Sequence, residues 1–324
     1  MSQLTAVRTA SRTAVSTQWW HLRLSTGGFD VADGIIEELV TPLVAQAHAL
    51  GAKRWYFSRS EDRSAGTVNQ IRLNIQAHPR VLNRLRSFQR ALQTSSAGTL
   101  PLLTVHHLYT SPADNTYYAG GPEMADAQLE ADLVKYGGVD GLQLAEEVFE
   151  LGSELALWAN RRFARAQSRS ALGALILFDS AQSMMQGPRS PGWADRRMLS
   201  WDSYWDGHLR TCTVDVGARA AGVREAMTAQ VASKATGFHA LMAATASESA
   251  VHTWRRRWFR AVDTYLYRAD KVRVSRSAQH LTVHQAHMSL NRLGFVPREE
   301  AALGLYARTW RPREKSVIGS RHPL

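Results

Sequence analysis

The chain has few of the features that stabilise or anchor proteins by means other than a core. Cys212 is the single cysteine in 324 residues, which excludes a disulfide framework and a cysteine-rich metal site. The longest apolar run, residues 171–178, is far shorter than the ~20 residues of a membrane span, and no apolar signal core opens the chain. We therefore expect a soluble, cytoplasmic protein without a membrane partner.

Acidic residues are in the minority. The chain has 28 Asp and Glu against 39 Lys and Arg, of which only five are lysine, and its formal net charge is +11. Such an excess suits an anionic partner such as an acidic peptide or a nucleic acid. The arginines at 255–257 lie between tryptophans, but on a helix they would spread around the axis, which argues against a nucleic-acid surface.

Motifs for common cofactors and nucleophiles are missing. The sequence has no glycine-rich dinucleotide or phosphate loop, no His-Glu-x-x-His and no Gly-x-Ser-x-Gly. His106 and His107 adjoin on a predicted strand and face opposite sides, so they cannot share a metal ion without a bulge. We expect an activity that needs no cofactor and no metal.

Residue patterns predict strands in the first third of the chain and helices in most of the rest. Alternating side chains predict strands at residues 18–24, 53–59, 69–76 and 102–109. A helix between Gly28 and Gly51 is expected to be capped by Asp30 or Asp33 and kinked by Pro42, and another follows Pro79. Further helices are predicted near residues 123–136, 140–166, 169–186, 217–233, 237–268, 279–293 and 297–310. We predict a flexible tail at 1–17 and a single catalytic domain at 18–324, of the α+β class, mostly helical, with a small N-terminal β-sheet.

Several short motifs follow one another between about residues 19 and 310. They are Trp20-x-Leu-x-Leu, Trp55–Asp62, Gln70-Ile-Arg-Leu-Asn74, Asp132-x-x-Lys135-Tyr-Gly-Gly138, Ala145-Glu146-x-x-Phe149 and His287-Met-x-x-Asn291-Arg-Leu-Gly294. Together they resemble the elimination domain of lantibiotic dehydratases and its thiopeptide relatives. The resemblance implies the fold of that domain and an activity on ribosomally made peptides.

Departures from the dehydratase pattern bear on the activity. The resemblance implies arginines that hold a glutamyl carboxylate, but Asn74 and Lys135 stand at two of those positions, and Gln70 replaces a histidine. Neither an amide nor a lysine offers the charged fork of arginine. The resemblance therefore favours the thiopeptide pyridine synthases, which join two dehydroalanines of a thiazole-containing precursor peptide by formal aza-[4+2] cycloaddition. They then lose water and the leader peptide to form a pyridine-centred macrocycle.

Two alternatives remain open at this point. One is a glutamate-eliminating subunit of a split peptide dehydratase. The other is a non-catalytic basic protein that binds a leader peptide or RNA. For the favoured function, we expect a modified precursor peptide with an acidic leader as partner, weak association with other biosynthetic enzymes and no nucleic acid.

One predicted helix carries three histidines on a single face. His280, His284, His287 and Asn291 are spaced three or four residues apart, and Ser277 or Ser275 is placed to cap the helix. The predicted catalytic residues are His287, His284, Ser275, Ser277 and Tyr306, with His287 foremost because it matches a family position. The alternatives are a zinc site formed by the three histidines, or half-exposed histidines above an apolar core.

The predicted substrate-binding residues are two polar residues of one strand, Asn291 of the helix with the three histidines, and aromatic rings that would stack on thiazoles. They are Arg72, Gln70, Tyr117, Trp201, Trp205 and Asn291. The tryptophans lie in a loop-to-helix stretch, and core packing is the alternative for them.

Overall fold

The computed structural model describes residues 17–26, 31–62, 68–95, 104–110, 131–163, 166–186 and 199–311. Within these ranges four strands form one antiparallel sheet in the order β2-β3-β1-β4. The strands are β1 (Gln18–Thr26), β2 (Arg54–Asp62), β3 (Val68–Ala77) and β4 (Thr104–Thr110). All four predicted strands are confirmed, with ends within three residues of the prediction. The predicted tail, apart from residue 17, lies outside the described residues.

Helices fill most of the remaining described chain. They are α1 (Ala32–Ile35), a π-helical turn (Ile36–Val40), α2 (Thr41–Ala49), α3 (Pro79–Ser95), α4 (Val139–Arg162), α5 (Ala166–Gln186), α6 (Trp201–Cys212), α7 (Ala220–Ser247), α8 (Ser249–Lys271), α9 (Ala278–Arg292) and α10 (Pro297–Thr309). Residues 131–136 are also helical, and Val214–Arg219 forms a 3₁₀ helix. The fold is α+β and mostly helical with a small antiparallel sheet, as predicted. In the part of the chain described, no helix combines the length and apolar character needed to cross a membrane.

Some helix boundaries differ from the prediction. The expected break at 234–236 lies inside α7, and the chain breaks instead at Glu248, whose backbone is extended. Gly237, the first residue of the helix predicted at 237–268, has open space around it and lies within α7. Asp33 does not cap α1, whose N-cap is Val31 without a side-chain bond. Asp33 instead bonds to Arg59 and Arg169, each at 2.6 Å, because two guanidinium groups face it.

The two faces of the sheet differ in polarity. One face is buried in the main hydrophobic core, and its members on the central strands are Trp20, Leu22, Leu24, Ile71, Leu73 and Ile75. Burial of each such side chain stabilises the fold by roughly 1.5–3 kcal/mol. Because successive side chains of a strand alternate between faces, the residues between them project from the opposite face. That face is polar, and α4 and α9 lie beside it.

The outer edge of β2 is covered by side chains instead of another strand. Ser153 of α4 accepts a hydrogen bond from the Phe57 amide at 3.1 Å, and Arg292 of α9 donates to the Phe57 carbonyl at 2.6 Å. Asn291 accepts from the Arg59 amide at 2.9 Å and donates to the Arg59 carbonyl at 2.8 Å. These bonds fix α4 and α9 to the sheet and so set the width of the space between them.

Candidate functional site

A cavity of about 280 Å³ lies between the polar face of the sheet, helices α4 and α9, and residues 131–136. Strands β1, β2 and β3 all contribute to its lining. Its polar residues include His21, Arg23, Ser58, Ser60, Arg72, Asn74, Asp132, Lys135, Glu146, His287 and Asn291. The cavity thus gathers residues from motifs that are far apart in the sequence.

Aromatic rings line the same cavity. Trp19 contacts Tyr56 at a centroid distance of 5.5 Å, and Phe149 contacts Tyr56 and Tyr136 at 5.3 Å each, all edge to face. Each such pair adds ~0.5–1.5 kcal/mol beyond area burial. We call these four rings the aromatic wall. Their mutual contacts hold an apolar side of the cavity in place beside the polar groups.

His287 reaches the cavity from α9 and is held from behind by Glu300 of α10. Its Nδ1 donates to Glu300 Oε2 at 2.6 Å, and His208 of α6 donates from Nε2 to Glu300 Oε1 at 3.2 Å. Both imidazoles must be donors here because a carboxylate only accepts. The side chain of Glu300 is 0% exposed and that of His287 is 32% exposed. His287 therefore connects a fully buried carboxylate to the cavity.

The charges of Glu300 and His287 stabilise each other. Burial alone would raise the pKa of Glu300, but the charge of His287 and the bonds from both histidines outweigh it and lower the pKa to about 2. Burial alone would lower the pKa of His287, but the Glu300 carboxylate outweighs it and raises the pKa. The Glu300 carboxylate therefore favours the imidazolium form of His287, which is a proton donor beside the cavity.

A hydrogen-bonded pair without net charge lies on the sheet. His21 Nδ1 and Asn74 Oδ1 are 2.6 Å apart, and burial lowers the pKa of His21 to about 4 although this bond opposes the shift. The position where the dehydratase pattern has an arginine thus holds an amide engaged by a neutral imidazole.

Two arginines lie opposite each other on the central strands of this face. Arg23 of β1 and Arg72 of β3 are register partners, and both line the cavity. Like charges at directly opposite positions destabilise a strand pair. The polar face of the sheet thus places two cationic side chains beside each other at the cavity.

A second carboxyl group, Glu146 of α4, lies beside Arg54 of β2. Arg54 is 3.5 Å from Glu146, 3.4 Å from Glu147 and 3.9 Å from Glu150. Glu147 also pairs with Arg268 of α8. Of the three glutamates only Glu146 lines the cavity. Its burial raises its pKa to about 7 although Arg54 opposes the shift.

The other predicted catalytic residues lie outside the lining of this cavity. Ser277 caps α9 as predicted, since its Oγ accepts from the His280 amide at 3.1 Å, and Ser275 is exposed nearby. His284 lies 4.3 Å from the His280 ring, and burial lowers the pKa of His284 to about 3. Tyr306 stacks on Phe238 with centroids 4.1 Å apart.

The predicted binding residues are divided between the cavity and the rest of the fold. Arg72 and Asn291 line the cavity, although the Asn291 amide is engaged by the β2 backbone. Gln70 lies on β3 outside the lining. Trp201 donates to a backbone carbonyl of α10, and Trp205 is buried in the core. Tyr117 lies outside the described residues.

One cluster of potential metal ligands occurs in the described part of the chain. The ligand atoms of His208, Cys212 and Glu300 lie within 4.8 Å of one another. Both Glu300 oxygens already accept from imidazoles, and burial together with the Glu300 charge raises the pKa of the Cys212 thiol. We interpret this cluster as a hydrogen-bond network.

Sequence reasoning missed Arg23, Glu300, His208 and the aromatic wall. Arg23 alternates with His21 on β1, a signal that could have placed both on the polar face. Glu300 lies in the first turn of a helix, where acidic residues are common, so nothing distinguished it.

The fold and the site define a class: peptide-modifying enzyme domains of the lantibiotic dehydratase type. The chain belongs to the lantibiotic biosynthesis dehydratase C-terminal family, whose model matches residues 19–310. Three solved structures share the fold. The structure of TsrL is 15% identical, with a TM-score of 0.59, over 90% of this chain and 94% of that one. The pyridine synthase TbtD from thiomuracin biosynthesis is 17% identical, with a TM-score of 0.52, over 90% and 96%.

The third structure belongs to a much longer chain. The tRNA-dependent lantibiotic dehydratase MibB from Microbispora sp. 107891 is 19% identical, with a TM-score of 0.52, over 90% of this chain but 28% of its own. No curated protein matches the chain by sequence.

Proposed function

We propose that this protein is a pyridine-forming macrocyclase of thiopeptide biosynthesis. The observation that carries the proposal is the pairing, in one cavity, of a protonated His287 backed by Glu300 with a neutral His21–Asn74 pair. A cycloaddition between two neutral alkenes needs positioned hydrogen-bonding groups and a proton donor. It does not need a cationic clamp at position 74.

The aromatic wall suits a substrate that is rich in flat heterocycles. A thiazole bound there would be held by edge-to-face contacts of the kind that join Trp19, Tyr56 and Phe149 to one another. Holding two dehydroalanines in contact supplies much of the rate, because effective molarities of roughly 10⁵ M or more accompany good alignment.

His287 supplies protons to the groups that leave. The cycloaddition forms two carbon–carbon bonds between the azadiene and the second alkene, and it leaves a hydroxyl and the leader amide nitrogen on the new ring. Both depart, as water and as the leader carboxamide, and each departure needs a proton on the leaving atom. The His287 imidazolium donates that proton, and a ring C–H or N–H proton lost on aromatisation restores it.

The partner is then a modified precursor peptide. An acidic leader would complement the net charge of +11. We also propose weak association with other biosynthetic enzymes, because the same peptide must pass between them.

The test uses purified protein and a linear leader peptide that contains thiazoles and dehydroalanines. Mass spectrometry is expected to show a macrocycle and a free leader carboxamide. Unreacted substrate across several such peptides would refute the proposal.

One observation favours a second candidate, elimination of glutamate from a glutamylated serine or threonine. The facing Arg23 and Arg72 are suited to a carboxylate, and Arg23 compensates in part for Asn74. Release of glutamate from a glutamylated peptide, without ring formation, would select this function.

A further inference from the structure

One step of the proposed reaction has no assigned residue. Before cycloaddition, the amide of one dehydroalanine must become its imidic-acid tautomer. An amide N–H is a weak acid and its carbonyl oxygen is a weak base, so neither proton moves easily alone. A carboxylic acid avoids both charged forms, since its O–H donates while its second oxygen accepts.

Glu146 is the carboxyl group of α4 that lines the cavity. Its side chain is 8% exposed, so little water competes for it. Phe149 of the aromatic wall lies three residues further along α4, and residues at that spacing share one helix face. A thiazole that contacts Phe149 within the cavity would therefore hold its attached carboxamide close to Glu146.

The surroundings of Glu146 favour a retained proton. Burial is the main cause, because it penalises the charged form, and the Glu147 carboxylate adds to it. Arg54 opposes the effect, but it lies beside three carboxylates, Glu146, Glu147 and Glu150. Lys53 is the remaining nearby charge, and it opposes this effect.

The contact with Arg54 leaves the carboxyl group free to react. At 3.5 Å it is longer than the ~2.7–2.9 Å of a tight charge-assisted bond. Arg54 is also shared with Glu147 and Glu150, so it does not commit both of its nitrogens to Glu146.

We propose that Glu146, as a neutral carboxylic acid, converts the substrate amide into its imidic-acid tautomer. The Glu146 O–H proton passes to the amide oxygen while the amide N–H proton passes to the other Glu146 oxygen. The C=O bond becomes C–OH and the C–N bond becomes C=N. The acid is regenerated with its proton on the opposite oxygen, so no co-reactant is consumed. This inference rests on the proposed function.

The experiment compares Glu146→Gln with Glu147→Gln in the cyclisation assay. Glutamine keeps the size of Glu146 but cannot relay a proton, so kcat is expected to fall ~10²-fold or more with KM within a few-fold. Glu147 also contacts Arg54 but is 42% exposed and outside the cavity, so its variant is expected to stay within a few-fold of wild type.

A second measurement follows the proton itself. Infrared difference spectra of wild type minus Glu146→Gln are expected to show the carbonyl band of a protonated carboxyl at neutral pH. A missing band, or a Glu146→Gln variant that cyclises like wild type, would overturn the inference and leave the proposed function standing. Wild-type protein that cyclises no peptide would instead overturn the proposed function, and this inference with it.

Discussion

Glu300 and Glu146 are both buried glutamates beside one cavity, yet their surroundings push them in opposite directions. Glu300 accepts hydrogen bonds from two imidazoles, and its pKa falls to about 2. Glu146 shares one guanidinium with two other carboxylates, and its burial raises its pKa to about 7. Burial by itself raises the pKa of both glutamates, so the neighbouring charged and hydrogen-bonding groups decide the direction of the net shift. Paired groups with diverging pKa values are a common arrangement for acid–base chemistry.

The largest expected effect comes from removing the partner that keeps Glu300 charged. His287→Ala is expected to slow cyclisation by roughly 10²–10⁴-fold, because the cavity loses its proton donor. It is also expected to destabilise the fold by about 3 kcal/mol, because a buried carboxylate is left with one donor. Rates from single turnovers and urea unfolding measure the two effects.

His287→Gln is the matched control for that change. Its amide can still donate to Glu300, so most of the stability is expected to return while the rate stays low. A His287→Gln variant that cyclises at the wild-type rate would remove the acid role from His287.

The pH dependence of the free energy of unfolding distinguishes the two glutamates. Each is expected to change it by on the order of 2–3 kcal/mol. The lowered pKa of Glu300 gives stability that is present above about pH 4.5 and is lost as pH falls through about 2. The raised pKa of Glu146 gives stability that is present below about pH 4.5 and is lost as pH rises through about 7. Glu146→Gln is therefore expected to be more stable than wild type above pH 7.

Chemical unfolding of the wild type and both glutamine variants across pH checks this. Glu300→Gln is expected to abolish the loss of stability at low pH. The loss of stability as pH rises to about 7 is expected to remain, because Glu146 is unchanged. Identical pH profiles for the two variants would show that the surroundings of the two glutamates do not differ as described.

The smallest expected effect concerns the facing arginines. Arg23→Gln is expected to stabilise the fold by a few tenths of a kcal/mol, because a like-charge pair on adjacent strands is removed. It is also expected to weaken binding of glutamate or another small carboxylate, measured by calorimetry. Arg84, a charged residue of α3 outside the cavity lining, supplies the control Arg84→Gln. Stabilisation equal to that control would mean that Arg23 and Arg72 do not repel each other.

Local pattern was enough to predict the strands, because alternation on β1 and β3 reflects a sheet with one buried face. The helix break at Glu248 was missed because the helical spacing of residues 237–268 continues across it, although α7 ends at Ser247 and α8 begins at Ser249. Contacts with other helices decide where a helix ends, and the spacing of apolar residues in the sequence does not reveal those contacts.

The site was only partly predictable for a related reason. His287 belongs to one of the motifs identified in the sequence, and it lines the cavity. Glu300 contacts His287 from α10, 13 residues further along the chain. His208 contacts Glu300 from α6, 92 residues earlier in the chain. Trp201 and Trp205 were predicted to bind substrate, whereas the rings that line the cavity include Tyr56 and Phe149, which were recognised in the sequence only as parts of motifs.

The covered edge of β2 restricts how a peptide substrate can approach. Proteins that hold extended peptides often do so by adding the peptide as a further strand to an open sheet edge. On β2 the backbone groups of Phe57 and Arg59 are already bonded to Ser153, Arg292 and Asn291, so that route is closed there. For the proposed peptide substrate, recognition in this cavity then relies on its rings and side groups, without backbone pairing to β2. Peptides that differ in sequence between the reacting residues are therefore expected to share the site.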